Sequence, residues 1–234
     1  DQHLVSAVSN AGGLGIFAPG DDSARGGADW LREQIRAIKA LTSQPFGVNL
    51  PMRSPLIADF VTVLCEERVK VATTGGGNPA PYLPQLKEAG VIVAPVVPDA
   101  KVAQKMEETG ADLVIASGME AGGFVGSVST LVTLPQVTAA VQIPVIAAGG
   151  IADGRGMAAA LALGASGIQM GTRFLLSRSA RSPTPSRRPC WPPSPRMRWR
   201  WTPSCAPGPI SGCCGIRRWT PYWTTKRATR PRLR

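Results

Sequence analysis

The chain has 234 residues, with 26 Lys and Arg against 15 Asp and Glu and a formal charge of +11. No run approaches the ~20 apolar residues of a membrane span, and the opening DQHLVSAVSNAGG lacks the basic-then-apolar order of a secretory signal. Nor does the charge mark the whole chain as a nucleic-acid or membrane-surface binder: residues 178–234 carry 14 basic residues and no acidic one, while residues 1–177 carry 12 basic and 15 acidic.

In chain order, the segment AGGLG (11–15) leads into a first short apolar run at 13–17. A helical pattern follows in which Trp30, Leu31, Ile35, Ile38 and Leu41 share one face. Further apolar runs come at 46–50, 69–74, 91–97, 113–117, 144–150 and 167–172, with amphipathic patterns between them. They are rich in Val and Ile without alternation, as parallel strands covered on both faces require. Between the second and third runs, Leu56, Ile57, Phe60, Val61 and Leu64 form a helical stripe on which Cys65 is predicted to be a buried structural thiol. It is the one cysteine before residue 178, so no disulfide framework is expected there and a soluble cytoplasmic protein follows.

Taking Val48, Val71, Val93, Val114, Ile146 and Gln169 as strand centres, the spacings are 23, 22, 21, 32 and 23 residues. A βα unit repeated at that period predicts an α/β fold of the TIM (β/α)8 barrel type, incomplete because its first strand is missing. The alternative is a doubly wound open sheet. It is disfavoured because no acidic residue ends a second strand about 20 residues after AGGLG. The long interval between Val114 and Ile146 holds the glycine-rich segment 119–126, and βα loops at the strand C-termini are where such barrels work.

Two later motifs predict a phosphate site. Gly149 and Gly150 precede a helix opening near Arg155, and Gln169-Met170-Gly171-Thr172 follows the last run. Glycines let the backbone approach a phosphate, helix N-termini supply donors, and the last two strands of these barrels often share that grip. Asp153 reads as a helix cap, since a carboxylate in a catalytic role there would repel the phosphate.

The segments PFGVN (45–49), VATTGGGNP (71–79), GMEAGG (118–123), PVIAAGGIADG (144–154) and QMGTRF (169–174), in this order, resemble the 2-nitropropane dioxygenase superfamily of FMN barrels. Within it, TTGGGNP, APVVP and GMEAGG are most similar to the type II enoyl-acyl carrier protein reductases, with nitronate monooxygenases as close relatives. The resemblance covers residues 1–177. It implies FMN at the strand tops, with Asn49 near the ring, Gly122 and Gly123 beside it, Gly150, Gln169, Met170, Gly171 and Thr172 on the phosphate, and Thr74, Ser117 and Gly149 also in contact with the cofactor. It implies NADH or NADPH as co-substrate and no metal. Ser117 stands where nitronate monooxygenases usually carry Gln, which favours the reductases.

Three departures stand out. The family's first strand and flavin loop would precede Asp1, and its last helix would follow Leu176. The family motif continues with His after the second glycine, whereas Phe124 stands here. That His is the expected proton handler, and a phenyl ring exchanges no proton. Glu120, Tyr82 or water are the candidate replacements. Glu120 reads first as an ion-pair partner ordering its loop, and His3, at the chain start, is a poor substitute.

The implied activity is reduction of an enoyl thioester by a nicotinamide through flavin, on a small-molecule or acyl-carrier-protein-bound substrate. The alternative is oxidation of alkyl nitronates. Another phosphate-binding barrel, inosine monophosphate dehydrogenase, needs a nucleophilic Cys on a loop after a strand, and Cys65 falls on a helix. A homodimer is compatible with this assignment, and no membrane partner is expected. Residues 178–234 are predicted to be a disordered tail or an out-of-frame translation, with too many prolines and too few aliphatics for a core. The alternative for that tail is nucleic-acid binding through its basic and aromatic residues.

Overall fold

The computed structural model describes residues 1–20, 26–123, 126–175 and 177. The chain divides after residue 181, and every described residue falls in the first unit. Phe124 and the basic segment 178–234 lie outside the described residues.

Helices and strands alternate: α1 (Gln2–Asn10), β1 (Gly15–Phe17), α2 (Gly27–Leu41), β2 (Phe46–Pro51), α3 (Ile57–Glu66), β3 (Val71–Gly75), a 3-10 turn (Ala80–Tyr82), α4 (Leu83–Glu88), β4 (Ile92–Val97), α5 (Ala100–Glu108), β5 (Val114–Ser117), α6 (Thr130–Ala140), β6 (Val145–Ala148), α7 (Gly154–Ala162), β7 (Gly167–Gln169) and α8 (Thr172–Leu175). All seven strands are parallel and pair strictly in chain order from β1 to β7. A doubly wound sheet would reverse its order at a switch point. This one does not, so the winding is that of a partial (β/α)8 barrel.

Strand parity sorts the side chains into two surfaces. Val48, Leu50, Ala72 and Val93 face the helices and join Leu31, Ile35, Ile38, Phe60 and Leu64 in one buried cluster. Val97, Val114, Ala116, Val145 and Ala147 continue that layer beneath α5 to α7 with Met106, Leu134 and Val137. The opposite parity builds a smaller inner cluster of Ala94, Ile115 and Ala148, flanked by Val96, Leu113 and Ile146. On α2 the predicted face narrows: Leu31, Ile35 and Ile38 are buried, whereas Leu41 is exposed at the last turn. Cys65 is half-buried rather than buried; its thiol lies 3.8 Å from the Gln85 carbonyl oxygen, and burial pushes its pKa up.

The turns entering the strands are tied by carboxylates. Glu67, after α3, accepts hydrogen bonds from Arg36 Nε at 2.9 Å and Lys39 Nζ at 3.0 Å, both from α2. Asp112 accepts from Val93 N at 2.8 Å and Lys87 Nζ at 3.1 Å, and Glu107 Oε1 accepts from the backbone N–H groups of Gln142 and Ile143. At the first edge, Gly15 N donates to Ser9 Oγ of α1 at 3.1 Å. No helix among the described residues is long and apolar enough to cross a membrane.

Candidate functional site

The inner parity of the strands carries a row of uncharged polar side chains at their C-terminal ends. Asn49 on β2 is in register with Thr73 on β3, and Ser117 on β5 aligns through Ala148 of β6 with Gln169 on β7. Thr73 Oγ1 donates to Asn49 Oδ1 at 3.0 Å. That bond occupies the Asn49 carbonyl oxygen and leaves its amide N–H groups as donors. Ser117 is buried and Gln169 exposed, so the row runs from the packed interior to the rim.

Thr74 follows Thr73 on β3. It shares parity with Ala72 and therefore faces the helix layer, where its Oγ1 is buried with no hydrogen-bond partner among the described residues. Thr73, not Thr74, is the hydroxyl on the inner surface. Two adjacent threonines look alike in sequence, and only the strand register separates them.

Gly149 (φ +107°) and Gly150 (φ +72°) are consecutive residues in the left-handed region, a conformation that other residues enter only under strain. They turn the chain from β6 toward α7. A Cβ on Gly149 would stand 2.7 Å from Thr130 Oγ1, and one on Gly118 would stand 2.2 Å from Thr130 N, so both glycines are demanded by close packing. Gly122 and Gly123 are exposed with open space where a Cβ would project. The segment after them, including Phe124, is outside the described residues.

Asp153 is the cap of α7. Its Oδ1 accepts from Arg155 N at 3.0 Å and Gly156 N at 3.1 Å, and Oδ2 accepts from Arg155 Nη2 at 2.6 Å. The Arg155 hydrogen bond, then the Gly156 N–H and the charge of Arg173, hold the carboxyl below its usual range. Two of the α7 donors are thus already taken. An anion at this end has to be met by the Gly149–Gly150 turn rather than by those amides. Gly171 and Thr172 are exposed and Met170 half-buried, and a Cβ on Gly171 would meet nothing within 4 Å.

Glu120 makes no ion pair among the described residues. Its Oε2 accepts from Thr130 N at 2.8 Å and Thr130 Oγ1 at 2.9 Å, capping α6 from ten residues away. Tyr82 packs against the first core cluster, and His3 sits in the first turn of α1. A cleft of about 170 Å³ opens beside the Glu120–Thr130 contact, lined by Glu120, Thr130, Gly149, Gly150 and Ile151 among others. A larger cavity, about 420 Å³, lies among residues 39–46 and 68–70 at the other end of the barrel. It contains none of the glycine turns or inner polar side chains, so the smaller cleft is the one tied to the site. No cluster of His, Cys, Asp and Glu among the described residues could hold a metal.

The family model of nitronate monooxygenase matches residues 1–64 and 58–189, which covers both the polar row and the glycine turns. The chain belongs to the nitronate monooxygenase family. Among its relatives, a 5-hydroxy-7a-methyl-1-oxo-octahydro-1H-indene-4-carboxyl-CoA dehydrogenase of Mycobacterium tuberculosis is 46% identical over 183 residues, covering 77% of this chain and 50% of that protein. A nitronate monooxygenase of Pseudomonas aeruginosa is 36% identical, covering 74% of this chain and 62% of its own length. The solved structure of FabK from Thermotoga maritima is 52% identical with a TM-score of 0.72, covering 76% of this chain and 56% of that one. The chain therefore spans about half to two thirds of the length of these family members.

Two members of the site escaped sequence reasoning. Thr73 would have needed the register. Thr130 carries no local signal, because the residue before it, Ser129, is the expected cap by type yet makes no side-chain cap bond.

Proposed function

We propose that this chain is the flavin-binding portion of an FMN-dependent oxidoreductase that reduces an enoyl thioester with NADH or NADPH. The observation that carries the proposal is the Gly149–Gly150 turn beside an inner row of neutral donors and acceptors, in a chain 52% identical to FabK. The residues suit the cofactor at both ends. Asn49, Ser117 and Gln169 offer amide and hydroxyl groups to the polar edge of a flavin ring, and no ionised side chain stands among them. At the phosphate end, two left-handed glycines allow close backbone approach, Gly171 leaves open space, and Arg155 and Arg173 offset the Asp153 carboxylate.

When bound, FMN supplies the hydride chemistry, taking hydride from a nicotinamide and passing it to the β-carbon of an unsaturated thioester. The protein's own residues then have to bind, orient and manage one proton. Phe124 carries no ionisable group. The Glu120 carboxylate is committed to Thr130, and Tyr82 is packed in the helix layer. Proton delivery to the α-carbon therefore falls to water, with slow turnover as the consequence. The substrate is a small molecule or an acyl-carrier-protein-bound acyl chain, and a cytoplasmic location and a homodimer belong to the same proposal.

The family match itself favours a second reaction, oxidation of alkyl nitronates by dioxygen. Nitronates are supplied as anions, so that chemistry depends less on a proton acceptor. Two assays on the full chain loaded with FMN separate the reactions. Nicotinamide oxidation dependent on crotonyl thioester is expected. Oxygen consumption on propyl-2-nitronate with no thioester-dependent nicotinamide oxidation would replace the reductase assignment with the monooxygenase one.

A further inference from the structure

Thr130 lies where three segments of the site meet. It is buried, it opens α6, and its hydroxyl is 3.3 Å from the Ala148 carbonyl oxygen at the end of β6. A hydroxyl has one hydrogen to give. The shorter contact, 2.9 Å to the Glu120 carboxylate, is charge-assisted and takes it. The same Glu120 oxygen holds the Thr130 N–H at 2.8 Å. Gly118, at the end of β5, closes over the Thr130 amide, and Gly149 closes over its hydroxyl. The Glu120 Cβ would be 3.4 Å from a Cβ placed on Gly150. The two Glu120–Thr130 bonds thus form a junction that joins the loop after β5 to the start of α6, and the exit of β6 is held against it by Gly118 N donating to the Ala148 carbonyl at 3.3 Å and by the packing of Gly149 on the Thr130 hydroxyl.

We infer that Glu120 and Thr130 are positioning residues for the phosphate turn. They set where the Gly149 and Gly150 backbone points, and so control flavin affinity without touching the flavin. This inference rests on the FMN assignment proposed above. It also explains an acidic residue close to an anion-binding turn: the carboxylate is satisfied by the positive end of α6 and aimed at Thr130.

The test is an FMN titration of the full chain by quenching of flavin fluorescence. Glu120→Ala should raise Kd about tenfold. Glu120→Gln keeps an amide carbonyl able to accept both bonds and should stay within about threefold of the parent. Thr130→Val should weaken binding, and adding it to Glu120→Ala should cost little more, because both break one junction. Parent affinity in Glu120→Ala, or Gln no better than Ala, would overturn the inference. Amide hydrogen exchange on the flavin-free chain gives an independent readout. The Thr130 amide should exchange about tenfold faster in Glu120→Ala while the amides of α2 and α3 stay unchanged. Unaltered exchange at Thr130 overturns the junction. A parent chain that takes up no FMN while Thr130 exchange responds as stated overturns the proposed cofactor instead.

Discussion

The two ends of the barrel are built from different chemistry. Where chain enters the strands, carboxylates do the fastening: Glu67 binds Arg36 and Lys39, Asp112 holds Val93 N and Lys87, and Glu107 takes two backbone amides. Where chain leaves the strands, the inner surface offers Asn49, Thr73, Ser117 and Gln169, and the turns are glycine. The carboxylates of Asp99, Glu120 and Asp153 at that end are turned to helix starts. The difference teaches a division of labour. Ionic and backbone bonds at one end supply stability, and neutral groups with open backbone at the other leave room for a ligand.

Substitutions that leave the strand-exit packing intact should therefore change binding and turnover, and those at the entry end folding alone. The largest effect is expected at position 124. Under the proposed reductase function, Phe124→His supplies a proton donor next to Gly123 and should raise thioester turnover about a hundredfold, since general acid–base catalysis typically contributes ~10²–10⁴. Flavin reduction by nicotinamide should be unchanged, as stopped-flow absorbance can show. Equal turnover in the two proteins would remove position 124 from the chemistry.

Gly118→Ala comes next. A Cβ 2.2 Å from a backbone nitrogen forces the chain apart, and an overpacking cost of about 3 kcal/mol is expected in urea unfolding. A cost below about 1 kcal/mol would mean that the strand-exit packing is looser than described.

At the other end, Glu67→Ala should cost about 2 kcal/mol by removing charge-assisted bonds whose partners remain. FMN affinity should not move, and a matching loss of affinity would erase the division between the ends. The smallest effect is on acid sensitivity. Burial alone would push the Glu67 carboxyl up, but Lys39 and Arg36 outweigh it and hold it below the usual 4.5. A pKa lowered in the folded chain gives stability that is present above the unfolded value and lost as pH falls through the folded one. Below about pH 4.5 the parent should lose stability more steeply than Glu67→Gln, and parallel curves would contradict this.

Most of the fold is legible in the sequence because buried parallel strands leave uninterrupted Val and Ile runs. The runs overshoot the strands at predictable places. Val69 and Val91 are buried but precede β3 and β4, packing under the sheet rather than pairing within it. The run at 144–150 overshoots at its other end, because Gly149 and Gly150 leave β6 in the left-handed region. The site is legible where it is local. Asn49, Ser117 and Gln169 sit on strand ends whose position the period fixes. The Thr73–Thr74 choice is not local, since a one-residue error in parity exchanges the inner surface for the helix layer. Nor is the Glu120–Thr130 junction, which crosses a ten-residue loop and replaces the cap that Ser129 would be expected to provide.

The central claim is that these strand ends hold a flavin phosphate, and Gly171 tests it most directly. Nothing stands within 4 Å of a Cβ there, so Gly171→Leu should leave stability within about 0.5 kcal/mol of the parent. The measurement is an FMN titration of the two full-length proteins side by side, with urea unfolding of each. The account predicts saturable binding by the parent and at least about tenfold weaker binding by the equally stable variant. Equal affinity in the two, or no binding by a folded parent, would contradict it.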